Sequence, residues 1–389
     1  VNASFGAPTL PARAWALAAR LLGGFDLPLL AATLLLAAIG LVAMYSAGYD
    51  HGTRFADHGR NLGVALAVLF LVAQVPPQRL QALAVPLYLL GVVLLLGVEF
   101  FGSTRKGATR WLDLGFTTIQ PSEIMKIAMP LMLAWWFGRR EGALHVTDFL
   151  VAGVLLAFPL ALILKQPDLG TALLVLFGGL YVIFFAGLSW ALVLPVLGLA
   201  GLGIVALVAW GDTLCAPGVD WHVLREYQKT RVCTLLDPTK DPLGKGFHII
   251  QGMIAIGSGG LAGKGFMQGT QTHLEFIPER TTDFIFAAYS EEFGLLGVLL
   301  LLLAYTFLIF RGLMIAAEAP TAFTRLLSGA VTLTFFSYAF VNMGMVSGIL
   351  PVVGVPLPFV SYGGTAMVTL GLGLGILMSV AKSRRLMQS

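Results

Sequence analysis

Residues 27–48 read "LPLLAATLLLAAIGLVAMYSAG", and this stretch decides the fold. It contains no Asp, Glu, Lys or Arg. About 20 mostly apolar residues suffice for a helix to cross a bilayer. In lipid the backbone must satisfy its own hydrogen bonds, so such a run is helix. Reading outward from it, apolar runs recur at about 60–75, 82–100, 121–138, 148–165, 169–187, 189–210, 284–310, 321–347 and 358–380. With 27–48 this makes ten expected spans.

Composition agrees. Hydrophobic residues are 57% of the chain and charged residues 11%, against about 25% charged in soluble domains. Mean hydropathy is +0.86. The period-2 alternation of a membrane barrel is absent. The expected fold is all-α and integral to the membrane. It is a bundle of ten transmembrane helices in one polytopic domain, 1–389, with one large extracytoplasmic loop at 211–283.

Lys and Arg in short loops set orientation. Arg13, Arg20, Arg79, Arg139, Arg140, Arg311, Arg325, Lys382, Arg384 and Arg385 fall on one side, and fewer basic residues fall on the other. Both termini are therefore expected in the cytoplasm. The net charge of +4 reports topology and anionic lipid, so nucleic acid is not an expected partner. The segment "PARAWALAARLLGGFD" at 11–26 reads as an amphipathic cytoplasmic helix or a tail, without the apolar core and cleavage site of a signal peptide.

Charge returns where polar chain meets apolar chain. "IPERTTDFIF" at 277–286 carries Asp283 into the mouth of a span. Thr281 or Thr282 is an expected N-cap, with Asp283 in the first helical turn. Two readings stand: Asp283 complements the helix dipole, or it is a proton acceptor at the membrane surface. Glu291 and Glu292 follow. In "RWLDLGFTTIQPSEIMKIAMPLM" Pro121 suits a first helical turn, and Glu123 and Lys126 share a face. They form a local ion pair or line a polar cavity with Arg110. "LKQPDLGTALL" places Lys165 and Asp168 at another junction on the same side. The convergence of these three sets argues for one polar site there.

Other motifs carry less. "IAIGSGGLAGKGF" fits G-x-G-x-x-A at Gly257, Gly259 and Ala262, but no βαβ unit surrounds it. It reads as a flexible, close-packed loop whose amides can meet a phosphate, and no nucleotide is expected. Cys215 and Cys233 both lie in the outer loop, as a disulfide or as two thiols. The six histidines show no zinc spacing, and no G-x-S-x-G occurs.

"PERTTDFIFAAYSEEFGLLG", "GVPLPFVSYGG", "QPDLGTALL" and "RWLDLGFTTIQPSEIMKIA" together resemble the SEDS family (shape, elongation, division and sporulation), over nearly the whole chain from residue 27. "GTQTHLEFIPE" is more similar to its elongation branch than to its division branch. The stretch "GDTLCAPGVDWHVL" departs from the pattern. The resemblance implies a ten-helix enzyme of the bacterial cytoplasmic membrane that polymerises lipid II into glycan strands on the outer face during elongation. It implies a class B penicillin-binding protein as crosslinking partner within the elongation machinery. Asp283 matches the family's essential aspartate, and Arg110, Glu123, Lys126 and Asp168 match its outer cavity. Arg110, Lys126 or a divalent cation, Mg2+ or Mn2+, would stabilise the departing pyrophosphate. The alternative is a lipid II flippase, and a third reading is a non-enzymatic scaffold.

Overall fold

The computed structural model describes residues 23–105, 108–113, 115, 118–140, 144–216, 218–219, 221, 226–241, 244–277 and 279–388. Most of the expected N-terminal segment, through residue 22, and Pro278 lie outside the described residues. The described helices are α1 Leu27–Ala47, α2 Arg54–Ala73, α3 Pro77–Phe101, α4 Pro121–Gly138, α5 Val146–Lys165, α6 Leu169–Phe185 and α7 Trp190–Ala209. They continue with α8 Gly211–Leu214, α9 Glu226–Leu236, α10 Lys245–Ser258, α11 Thr270–His273, α12 Ile285–Ala317, α13 Ala322–Val346 and α14 Gly364–Gln388.

Eight of these, α1, α2, α3, α5, α7, α12, α13 and α14, are long and apolar enough to cross a membrane. The two other expected spans fall short for physical reasons. Helix α6 is apolar but has 17 residues. Helix α4 spends two of its 18 positions on Glu123 and Lys126. Both are central, α4 packing on α3, α6 and α13, and α6 on α5 and α13. At the other extreme, α7 has no buried residue.

Small residues let the central helices meet. Helix α14 packs most extensively on α2. A Cβ on Gly371 would sit 2.3 Å from the Ala65 carbonyl oxygen, and one on Gly375 2.7 Å from Val72 Cβ. That is the close backbone approach a G-x-x-x-G spacing permits. Gly373, on the opposite face, lies against Val331 of α13.

Helix α12 has 33 residues, roughly 50 Å at about 1.5 Å per residue, longer than a bilayer core of about 30 Å. It breaks at Gly294, whose φ of 60° and ψ of −160° suit glycine alone. The glycine-rich run docks into this break. The amides of Leu295 and Leu296 donate to Gly260 and Leu261 carbonyls, and those of Lys264 and Gly265 donate to Glu291 and Glu292 carbonyls. The run is close-packed, as its composition suggested, but these two amides are already used and do not face a phosphate.

The expected run 358–380 starts later as a helix, at Gly364. The preceding residues form a non-helical strap that turns at 357–361 over α1, where a Cβ on Gly40 would lie 2.1 Å from the Phe359 carbonyl oxygen. The sequence reading also missed a small antiparallel sheet between α3 and α4: β1 Ser103–Arg105, β2 Ala108–Asp113 and β3 Thr118–Ile119, in that order. Ser103 pairs with Trp111, and Leu112 with Ile119. Ser103 faces Trp111 but Thr104 faces Thr109, so Arg110 is the extra residue of a bulge in β2, a device that re-aims a side chain out of the strand's alternation. Leu112, beyond the bulge, is buried.

Candidate active site

The Asp283 turn and the strap are stitched together. The Tyr362 amide donates to the Thr281 carbonyl at 2.8 Å. The Ser361 hydroxyl donates to the Thr282 carbonyl at 2.6 Å and accepts from the Leu357 amide at 2.8 Å. Asn342 of α13 donates to the main-chain carbonyls of Asp283 and Val355. A Cβ on Gly354 would lie 3.4 Å from Asp283 Oδ2, so the half-buried carboxylate sits beside that glycine. The expected cap does not form. Helix α12 starts at Ile285 with Phe284 at the cap position and no side-chain cap. Thr282 instead donates to the Glu279 side chain at 2.7 Å, and Asp283 precedes the helix instead of entering its first turn.

The turn is anchored from the far side as well. Arg280, 2% exposed, donates to the Ala47 carbonyl at 3.0 Å and to both Asp50 carboxylate oxygens. The Arg280 guanidinium holds the Asp50 carboxyl well below the usual carboxylate range, against the opposing effect of burial. Arg54 stacks over the Tyr362 ring at 4.6 Å.

Asp168 is the hub of a second set. It caps α6, accepting from the Thr171 amide. It also accepts from Gln120 at 2.7 Å and Ser122 at 3.3 Å, and pairs with Arg110 at 3.4 Å. The sheet thus delivers Arg110 to the start of α6. Lys165 does not join this set and pairs with Glu99 instead.

Glu123 and Lys126 form the ion pair that their spacing suggests, at 2.6 Å. Lys126 is 4% exposed and also donates to the Tyr338 hydroxyl at 2.9 Å. Thr369 of α14 donates to the second Glu123 oxygen at 3.3 Å. Beside this pair, α2, α3, α4 and α14 enclose a mainly apolar cavity of about 740 Å³. Leu87, Leu90, Ile127 and Val368 line it, and Gln120 and Glu123 form its polar margin.

Arg231 of α9 was not singled out from sequence. It donates to the Val352 carbonyl of the strap, two residues before the Gly354 that lies beside Asp283. Glu291 and Glu292 are structural. Glu291 accepts from Lys264, Thr270, Gln271 and Thr272 around α11, and Glu292 from Ser46. Cys215 and Cys233 are joined by a disulfide. Among the described residues, no three His, Cys, Asp or Glu side chains gather as a metal site.

Fold and site together define a multi-pass helical membrane protein with a charged cluster at one end of the bundle and an apolar cavity beneath it. The chain belongs to the FtsW/RodA/SpoVE family of cell cycle proteins, whose model matches residues 27–386. It is 48% identical over 347 residues to the peptidoglycan glycosyltransferase MrdB of Escherichia coli K12, covering 89% of this chain and 90% of that one. It is 35% identical over 378 residues to the stage V sporulation protein E of Bacillus subtilis, covering 92% and 98%. Its fold matches a chain of a peptidoglycan synthase complex that coordinates polymerization and crosslinking. There the TM-score is 0.75 at 34% identity, over 92% of this chain and 98% of that one. The rod shape determining protein RodA of Thermus thermophilus matches with a TM-score of 0.67 at 30% identity, over 92% and 97%.

Proposed function

We propose that this chain is a peptidoglycan glycosyltransferase that polymerises lipid II during elongation, at the outer face of the bacterial cytoplasmic membrane. The observation that carries the reading is the charged cluster at one end of the bundle: Arg110 pairs with Asp168, and the 352–354 strap lies against Arg231, the start of α6 and Asp283, beside an apolar cavity bounded by Glu123. Reactive headgroup and lipid tail need those two environments side by side. The bundle has ten spans, with α4 and α6 as the shorter two, and both termini are cytoplasmic. The Cys215–Cys233 disulfide supports an oxidising, extracytoplasmic setting for the 211–283 loop.

Asp283 acts as general base. It takes the proton of the acceptor's GlcNAc 4-hydroxyl as that oxygen attacks C1 of the donor MurNAc. The C1–O bond to the polyprenyl pyrophosphate breaks, and the pyrophosphate leaves with the electron pair. Single displacement through an oxocarbenium-like state inverts the anomeric centre. The leaving group needs charge stabilisation more than a strong acid, and fixed cations of the site provide it. Arg110, Glu123, Lys126 and Asp168 shape the substrate cavity. The groove between α2, α3, α4 and α14 takes the polyprenyl chain. A class B penicillin-binding protein crosslinks the product.

The test is glycan synthesis from purified lipid II by the purified chain, with and without its penicillin-binding partner and with and without added Mg2+ or Mn2+. Glycan strands are expected with the partner present. If no combination yields polymer while the protein is folded, the reading fails.

A further inference from the structure

Among the basic side chains around the site, Lys126, Arg110 and Arg231 differ in their commitments. Lys126 is spent: it is buried, paired with Glu123 and bonded to Tyr338. Arg110 is half-committed, with one contact to Asp168 at 3.4 Å. Arg231 gives one terminal nitrogen to the Val352 carbonyl. Its Nε is buried with no hydrogen-bond partner among the described residues, and so is the hydroxyl of Tyr227.

Tyr227 and Arg231 are four residues apart on α9, so they lie on one face of that helix. Two unpaired polar atoms buried on one face are costly unless something meets them. The Arg231 Nε–H can only donate and the Tyr227 hydroxyl can donate too, so one acceptor group can meet both. Burial lowers the Arg231 pKa, and neighbouring Arg110 adds to that, while Tyr227, Asp168 and Asp283 oppose it. The guanidinium stays charged, as arginine does in proteins, and a desolvated guanidinium beside a second arginine favours an anion.

We propose that Arg231, with the Tyr227 hydroxyl beside it, binds the diphosphate of the donor lipid. This rests on the glycosyltransferase reading above. Arginine's planar fork suits phosphate oxygens. Arg110 faces the same group from the sheet, while Lys126 serves as a structural counter-ion to Glu123.

The test measures binding without turnover. Purified full-length chain, with its partner, is titrated with a long-chain polyprenyl diphosphate and, separately, with the matching monophosphate. Arg231→Gln is expected to weaken diphosphate binding by about 10- to 100-fold, the size of a lost charge-assisted hydrogen bond. Arg231→Lys should keep part of the affinity, and Tyr227→Phe should lose less than Arg231→Gln. Lipid II polymerisation should show a raised KM in Arg231→Lys. Melting temperatures identify any variant that fails to fold, and then Arg231→Lys and Tyr227→Phe decide.

Wild-type diphosphate affinity in folded Arg231→Gln, or in both milder variants, overturns the proposal. An equal loss for monophosphate and diphosphate also overturns it, since the site would then read lipid and not the second phosphate. If the wild-type chain binds diphosphate through Arg231 but makes no glycan, the diphosphate site stands and the glycosyltransferase reading falls. If Arg231→Gln polymerises lipid II and binds diphosphate normally, the reverse holds.

Discussion

Asn342 holds the main chain of Asp283 in place. Its side-chain nitrogen donates to the Asp283 carbonyl at 3.0 Å and to the Val355 carbonyl at 2.7 Å. Asn342 is fully buried on α13. One amide thus joins the turn before α12 to the strap before α14, and fixes where the carboxylate points. Replacement by a leucine of similar size removes the donor and leaves two carbonyls unsatisfied. Asn342→Leu should cost about 1–3 kcal/mol of stability and lower kcat more than it raises KM. Thermal melting and lipid II kinetics check this. An unchanged kcat would show that Asn342 does not aim Asp283.

Glu123 and Lys126 stand or fall together. Glu123→Gln leaves a buried ammonium without its counter-ion, and breaking a buried pair typically costs about 3–5 kcal/mol. The double variant Glu123→Gln with Lys126→Met should recover much of that loss. Equilibrium unfolding of the solubilised protein measures the cycle. Additive losses in the double variant would show that the two charges are not coupled.

Asp50 and Arg280 predict a pH dependence with a definite sign. The folded pKa of Asp50 lies below its ordinary value of 3.8. Its contribution is therefore fully present above that ordinary value, and it is lost as pH falls through the lowered folded value. The difference in melting temperature between wild type and Asp50→Asn should stay level from neutral pH down to about pH 4–5 and shrink below that. A difference that widens on acidification would contradict the ion pair.

The disulfide closes a loop with a sequence separation of 18. Removing such a bridge typically costs about 2–4 kcal/mol. It ties the end of α8 to α9, which carries Arg231, so Cys215→Ser should loosen α9 first. Hydrogen exchange should rise in 226–236 before it rises in α13. Alkylation should add mass only after reduction; labelling of both cysteines without reductant would show that the bridge is absent.

How much of this was legible in sequence depends on range. The apolar runs and the Glu123–Lys126 spacing are local, and local periodicity reports them directly. Asp283, Asp168 and Arg110 stand out because charge is rare at the ends of apolar runs, and the SEDS-like motifs single them out. Tyr338 and Asn342 are hidden for the opposite reason. Each is an ordinary polar residue within an apolar helix, and its role exists only once α13 packs against α4 and the strap. Arg231 lies in a segment with many charges, where one more arginine carries no signal. The sheet escaped because its strands are short and interrupted, with two, three or six residues each. The helix after Asp283 starts later than expected, with Phe284 at the cap position, because threonine capping is a local preference and the two hydroxyls are taken elsewhere: Thr282 donates to Glu279, and Thr281 accepts from Arg54.

The central claim is that Asp283 removes the acceptor proton. The most direct measurement is the rate of glycan formation from lipid II by folded, partner-bound Asp283→Asn, with lipid II binding measured in parallel. The account predicts binding close to wild type with polymerisation reduced by at least about 100-fold, the range of general-base catalysis. Polymerisation by Asp283→Asn at near wild-type rate would contradict it.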